Sequence, residues 1–213
     1  MILSSQQTPQ ALLAPSETPL SILLVGVGGQ GTILASRILA GVALSQNYDV
    51  KVSEIHGMAQ RGGSVVTQVR FGLQVASPII PLGQADLILA FEKLEALRWL
   101  PYLKPEGNVL YNTQQINPMP VITGAMSYPA DADSAIAAAF PRAVAIDALS
   151  LAIAAGNLKA VNVVLLGLLS QYLTIEEAVW LTTLQKTVPA RFYDVNIRAF
   201  QAGRKYENLP VRL

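Results

Sequence analysis

The strongest constraint on how this chain can fold is Gly26-Val27-Gly28-Gly29-Gln30-Gly31, which joins the apolar run Ser21-Ile22-Leu23-Leu24-Val25 to a helix-like apolar stretch from Thr32 to Leu44. A buried strand, a glycine turn and a helix in immediate succession form the opening unit of a phosphate-cradling α/β sheet. In that reading Gly26 permits the tight turn, Gly28 lets a phosphate approach the backbone, and Gly31 lets the helix pack against the strand. Unpaired N–H groups at the helix start would then favour an anion. The pattern names a kind of group rather than a ligand, and a purely structural turn accounts for the same residues equally well.

The rest of the chain continues an α/β rhythm with one departure. Tyr48 to Ile55 alternates polar and apolar residues as a strand does, and so does Ser64 to Gly72. The loop between them is too short for a crossover helix, so these two strands should run antiparallel. Ala85 to Phe91 reads as a buried parallel strand feeding a helix from Glu92 to Leu100, with further strands at Gly107 to Asn112 and Ala143 to Asp147 and a helix at Ala132 to Phe140. The last third turns helical: Val161 to Leu169 is apolar throughout, and Thr174-Ile175-Glu176-Glu177 has the form of a capping box opening a helix to Leu184. Thr187-Val188-Pro189 opens another, with Phe192, Val195, Ala199 and Phe200 on one face and Gly203 as its end. The expected fold class is α/β: a Rossmann-like, open, mostly parallel sheet with an antiparallel strand pair and a helical C-terminal third. One domain is expected over residues 20–203, between flexible tails at 1–19 and 204–213.

Composition narrows the function. A net charge of +1 leaves no electrostatic footprint for nucleic acid or an anionic membrane. With no cysteine, the chain can hold neither a disulfide nor a thiolate-ligated zinc or iron–sulfur cluster, so any such electron-transfer centre must sit on another chain. The apolar stretch Val161 to Leu169 falls well short of the ~20 residues of a membrane span. Met1 to Pro19 has no basic start and no long apolar core, unlike a secretory signal or transit peptide, and a cytoplasmic protein is expected. The chain is 52% hydrophobic and only 14% charged, which fits either a surface that meets a partner or simply a well-covered parallel sheet.

Ligands of open α/β sheets sit at the carboxyl ends of the strands, so Gly26 to Gly31, Glu54 to Gly63, Phe91-Glu92 and Asn112 to Gln114 should converge on one crevice. Glu54 lies 23 residues past Gly31, close to the ~20-residue spacing of the ribose-binding acid in dinucleotide sites. Arg61, beside Gly62-Gly63, can fork onto a phosphate or carboxylate, or form a surface ion pair. His56, the one histidine, reads as packed rather than catalytic, Met58 as packing, and Asp86 and Asp147 as strand-end or capping groups. No Ser–His–acid order, no His-x-x-x-His pair, no Walker lysine and no Gly-Asp-Gly opening of a thiamine diphosphate motif occurs. The chain therefore offers binding elements (Gly26, Gly28, Gly29, Gln30, Gly31, Glu54, Arg61, Gly62 and Gly63) without a catalytic residue or metal ligand.

The glycine turn, the segment Ser53-Glu-Ile-His-Gly-Met-Ala-Gln-Arg-Gly-Gly-Ser64-Val65, and Phe91-Glu-Lys-Leu-Glu-Ala-Leu-Arg98 together resemble the beta subunits of indolepyruvate:ferredoxin oxidoreductases, which match the gamma domain of the wider pyruvate and 2-oxoacid:ferredoxin oxidoreductases. The likeness continues through Ala160 to Gly167 and Val188-Pro189, covering roughly Leu20 to Gly203. It implies an oxidoreductase that decarboxylates an aryl 2-oxo acid such as indolepyruvate, passes the acyl group to coenzyme A and the electrons to ferredoxin. It also implies that thiamine diphosphate and the iron–sulfur clusters belong to a larger alpha subunit. The nine binding residues above would then wall coenzyme A or the mouth of the partner's active site, with Arg61 on the diphosphate. A stand-alone oxidoreductase using NAD or flavin, and an assembly subunit with a vestigial glycine turn, are the competing readings.

Overall fold

A computed structural model describes residues 14–15, 18–56 and 62–207. Six strands form one sheet: β1 (Leu20–Val27), β2 (Asp49–His56), β3 (Ser64–Gly72), β4 (Ala85–Ala90), β5 (Leu103–Asn112) and β6 (Val144–Ile146), in the order β2-β3-β1-β4-β5-β6. Strands β1, β4, β5 and β6 are mutually parallel, while β3 is antiparallel to both β1 and β2. The expected antiparallel pair is present, and its second strand has been inserted between β2 and β1.

Among the described residues eight α-helices accompany the sheet: α1 (Thr32–Ser45), α2 (Lys93–Trp99), α3 (Met119–Ile122), α4 (Ala132–Ala139), α5 (Ala148–Ala155), α6 (Val161–Ser170), α7 (Glu177–Thr187) and α8 (Tyr193–Arg204). The side-chain period of two divides each central strand between two cores. Ile22, Leu24, Leu87, Leu89 and Leu110 face the layer of α1, α6 and α8. Leu23, Val25, Ile88, Ala90 and Val109 face Ala96 of α2 and Ile136 of α4. Burial on both faces is why these strands read as continuous apolar runs rather than alternating ones.

Every residue of α6 is buried, as a helix apolar all round must be. Its closest partner is α8, and glycine makes the approach possible. A Cβ on Gly167 would stand 2.0 Å from the Phe200 carbonyl oxygen, and one on Gly203 would stand 1.9 Å from that of Val164. Gly203 therefore does not end the helix, as the sequence suggests; α8 runs to Arg204, and the glycine lets two backbones touch. Beyond it, Tyr206 Oη donates to the Ala145 carbonyl (2.8 Å) and Arg204 Nη1 to Ser170 Oγ (2.7 Å), tying the end of α8 to the body.

A second departure concerns Thr174, which caps nothing. Helix α7 begins at Glu177 with Glu176 at the N-cap position and no side-chain cap. The extended approach instead buries Ile175. Burying an apolar side chain contributes roughly 1.5–3 kcal/mol, which outweighs a cap of about 1 kcal/mol.

Candidate functional site

The carboxyl ends of β1, β4 and β5 do converge, and Gln30 is the residue that joins them. Its Oε1 accepts from the Val27 N–H (2.8 Å), and its Nε2 donates to the Phe91 carbonyl (2.9 Å) and to Gln114 Oε1 (3.4 Å). Buried Asn112 completes the network: its Nδ2 donates to the same Phe91 carbonyl (3.2 Å) and to Gln114 Oε1 (3.3 Å), and its Oδ1 accepts from Ala148 N (3.1 Å). Two side-chain amides thus satisfy backbone groups that strand ends would otherwise leave open.

This network explains the glycines differently from the sequence reading. Gly26 is part of β1, and a Cβ there would lie 2.9 Å from both Gln30 Oε1 and Phe91 Cβ. The turn proper lies beyond it, where Gly29 and Gly31 take positive φ angles of 103° and 83°. Gly31 admits Asn162 of α6, whose Nδ2 donates to the Gly31 carbonyl (3.2 Å) and would sit 2.6 Å from an added Cβ. The close approach is to a helix of the C-terminal third rather than between α1 and β1.

Gly28 and the pair Gly62-Gly63 clasp each other: Gly28 N–H donates to the Gly63 carbonyl (2.8 Å) and Gly62 N–H to the Gly28 carbonyl (3.3 Å). The clasp follows from topology. Because β3 is antiparallel to β1, its first residue, Ser64, pairs with Val27 at the mouth of the crevice. Arg61 lies outside the described residues, as do Met58 and the side chain of His56. Glu54 stands on edge strand β2, opposite Thr67, which in turn pairs with Leu24. One strand, β3, therefore separates it from β1 and the glycine turn, two spacings of about 4.8 Å away, and its Oε1 accepts from Ser36 Oγ of α1 (3.2 Å). Asp86 and Asp147 take the roles expected of them. Asp86 accepts from Ser21 N (2.8 Å) at a strand start, and Asp147 caps α5 by accepting from Ser150 N (3.0 Å) and Oγ (2.6 Å). These bonds hold the Asp147 carboxyl below its ordinary range.

Beside the clasp lies a cavity of about 220 Å³, between the β1 end and residues 62–64 on one side, α2 on another, and Ile116, Pro118 and Met119 on the third. Its chemistry comes from Glu92, which the sequence places at the crevice, together with Glu95, Ser64 and Tyr128, for which the sequence suggests no binding role. Glu92 is 1% exposed and accepts three hydrogen bonds: from Glu95 N (3.0 Å), Ile116 N (3.1 Å) and Tyr128 Oη (2.6 Å). Glu95, 4% exposed, accepts from Ser64 Oγ (2.5 Å) and is paired with Arg98 Nε (3.2 Å). Burial first, and then the bond to Glu92, pushes the Tyr128 phenol far above its ordinary pKa, so it remains a donor. The spacing Glu92, Glu95, Arg98 is a legible signal, since three-residue steps share a helix face. Tyr128 carries none, because it arrives from the stretch between α3 and α4, which has no periodic pattern.

Comparison with known proteins matches residues 21–206 to the family model "Pyruvate ferredoxin/flavodoxin oxidoreductase". The chain belongs to this family. Among curated relatives it is 42% identical, over 87% of its own length and 94% of theirs, to proteins named indolepyruvate oxidoreductase subunit IorB from Thermococcus kodakarensis and Pyrococcus horikoshii. The family fold extends to solved structures. One is a keto/oxoacid ferredoxin oxidoreductase gamma subunit of Geobacter sulfurreducens (TM-score 0.63, 24% identity, 86% of this chain and 95% of that one). Another is a 2-oxoglutarate:ferredoxin oxidoreductase of Magnetococcus marinus (TM-score 0.67, 19% identity), in which the match covers 89% of this chain but 31% of the other. The same fold thus occurs both as a separate chain and as part of a longer one.

Proposed function

We propose that this chain is the cofactor-free subunit of an indolepyruvate-type 2-oxoacid:ferredoxin oxidoreductase. The complex decarboxylates an aryl 2-oxo acid, joins the acyl group to coenzyme A and passes two electrons to ferredoxin. The observation that carries this reading is the 42% identity to IorB subunits across 94% of their length. Thiamine diphosphate and the iron–sulfur clusters belong to an alpha partner, in the cytoplasm. The absence of cysteine supports that division, since no cluster can be ligated by thiolates here.

Coenzyme A supplies the thiol that accepts the acyl group. In this chain the phosphate end is assigned to the outer lip of the glycine turn, near Gly29 and Gly31, rather than to the cavity, with Arg61, next in sequence to Gly62, as its guanidinium partner. Two buried carboxylates against one guanidinium make the cavity a poor host for a diphosphate. The lip is open by contrast among the described residues: none of them lies within 4 Å of a Cβ built on Gly29 or Gly62. Glu54, two strands away, forms the far side of that wall rather than a ribose contact.

A second reading has one observation in its favour. The N–H groups of Val27, Gly28 and Gln30 are engaged within the chain, which suits a glycine turn that only holds a docking surface together. Co-expression with the thiamine- and cluster-bearing chain, followed by assay of indolepyruvate-dependent ferredoxin reduction, tests the main reading. Activity should require both chains; turnover by this chain alone with NAD or flavin overturns it. Arg61→Ala then separates the two: a raised KM for coenzyme A supports the lip, and an unchanged KM supports the docking-only turn.

A further inference from the structure

We infer that the cavity beside the glycine clasp is a socket for one basic side chain of the catalytic partner, set in an apolar contact on Met119, Ile122 and Met126. This rests on the subunit reading above and specifies the chemistry of its interface. At about 220 Å³ the cavity is smaller than the ~300–1,000 Å³ of pockets that enclose whole ligands. It suits a single long side chain.

The charge in the cavity is unbalanced toward a cation. Glu92 and Glu95 both line it, each more than nine-tenths buried, and Arg98 is the one basic residue in its described wall. Arg98 is half exposed and among the described residues pairs with Glu95 alone. Among the described residues Glu92 forms no ion pair; its three donors are two backbone N–H groups and a phenol. A carboxylate offers about four acceptor sites, and Glu95 uses two of them. An incoming ammonium or guanidinium would find free acceptors and a net negative field, where an acidic group would be repelled and a neutral donor would gain hydrogen bonds without the charge attraction.

The rim supplies the apolar part of the contact. Met119 both lines the cavity and is 63% exposed; Ile122 (64%) stands three residues on along α3, and Met126 (66%) follows that helix. Met126 N–H donates to the Pro120 carbonyl (3.0 Å), folding that residue back beside α3. Adaptable methionines around a desolvated charged centre have the anatomy of a protein interface.

The test measures the dissociation constant of the full chain for the co-expressed thiamine- and cluster-bearing partner, at low and high salt, with an unfolding midpoint for every variant. Glu95→Gln should weaken binding at least about tenfold. Arg98→Ala should tighten it, because the built-in cation no longer competes. Paired Met119→Ser and Ile122→Ser should weaken binding to the same degree at both salt concentrations. Should Glu95→Gln fail to fold, Arg98→Ala and the rim pair still decide. If the wild-type chain binds no partner, the subunit reading fails. If it binds but Arg98→Ala weakens the complex, or both charge variants bind as wild type, the socket is overturned and the subunit reading stands. A change confined to the KM for coenzyme A also overturns the socket.

Discussion

Glu92→Gln is the most informative single change, because it keeps the size of a buried group and alters only what that group can accept. The carboxylate takes Glu95 N on one oxygen and both Ile116 N and Tyr128 Oη on the other. A glutamine has one acceptor oxygen and one NH2, so whichever way the amide turns, one backbone N–H faces a donor. Tyr128 can reverse and accept, but Glu95 N and Ile116 N cannot. One stranded donor and the loss of charge-assisted bonds should cost about 1–3 kcal/mol. For a chain of this length that lowers the unfolding midpoint by about 2–4 °C per kcal/mol. Glu92→Ala strands all three donors but should cost only about 2–4 kcal/mol, because water at ≈ 30 Å³ each can enter the adjoining cavity and take up some of them. Urea unfolding followed by circular dichroism gives the magnitude, and amide exchange resolved over residues 113–131 gives the location. An unfolding free energy within about 0.5 kcal/mol of wild type, with unchanged exchange in that segment, would refute the reasoning.

Gly167→Ala should destabilise by about 3 kcal/mol or more, at or above the upper end for overpacking, because the added methyl meets a backbone oxygen at 2.0 Å rather than a side chain that can turn away. The same urea titration measures it, and a cost under ~1 kcal/mol would mean that α6 and α8 separate easily. Asp147→Ala should cost about 1 kcal/mol at pH 7 through the lost cap. The folded carboxyl titrates below its ordinary value of 3.8, so its contribution is complete above that value and fades as pH falls through the folded one. The gap between wild type and variant should therefore close in acid, and a gap that widens would contradict the assignment.

Much of the architecture was legible because the two periodicities dominate it. β3 was read at its observed ends, and its antiparallel sense followed from the length of one loop. The parts that were not legible depend on contacts between distant segments. Gly203 looks like a helix end because glycine commonly is one, and only the path of α6 shows that it is a contact. Thr174 matches a capping pattern that the burial of Ile175 overrides. Glu95 and Ser64 carry no signal individually; they meet because β3 starts where β1 ends.

That meeting also explains why the glycine fingerprint and Glu54 imitate a dinucleotide site. In a plain mononucleotide-binding unit the second strand lies parallel and adjacent to the first, so an acid near its end reaches the ribose of a ligand held on the turn. Here β2 keeps the direction but loses the adjacency, because β3 occupies the place beside β1. The inserted strand brings its own amino end to the crevice, and with it the Gly62-Gly63 clasp on Gly28 and the Ser64 hydroxyl on Glu95. The space next to the turn is walled by the carboxylates of Glu92 and Glu95, while none of the described residues crowds the lip at Gly29 and Gly62. A sheet built in this order is poorly shaped to hold a nucleotide by itself and well shaped to present a rim to another chain. This favours a shared active-site mouth over a self-sufficient binding domain.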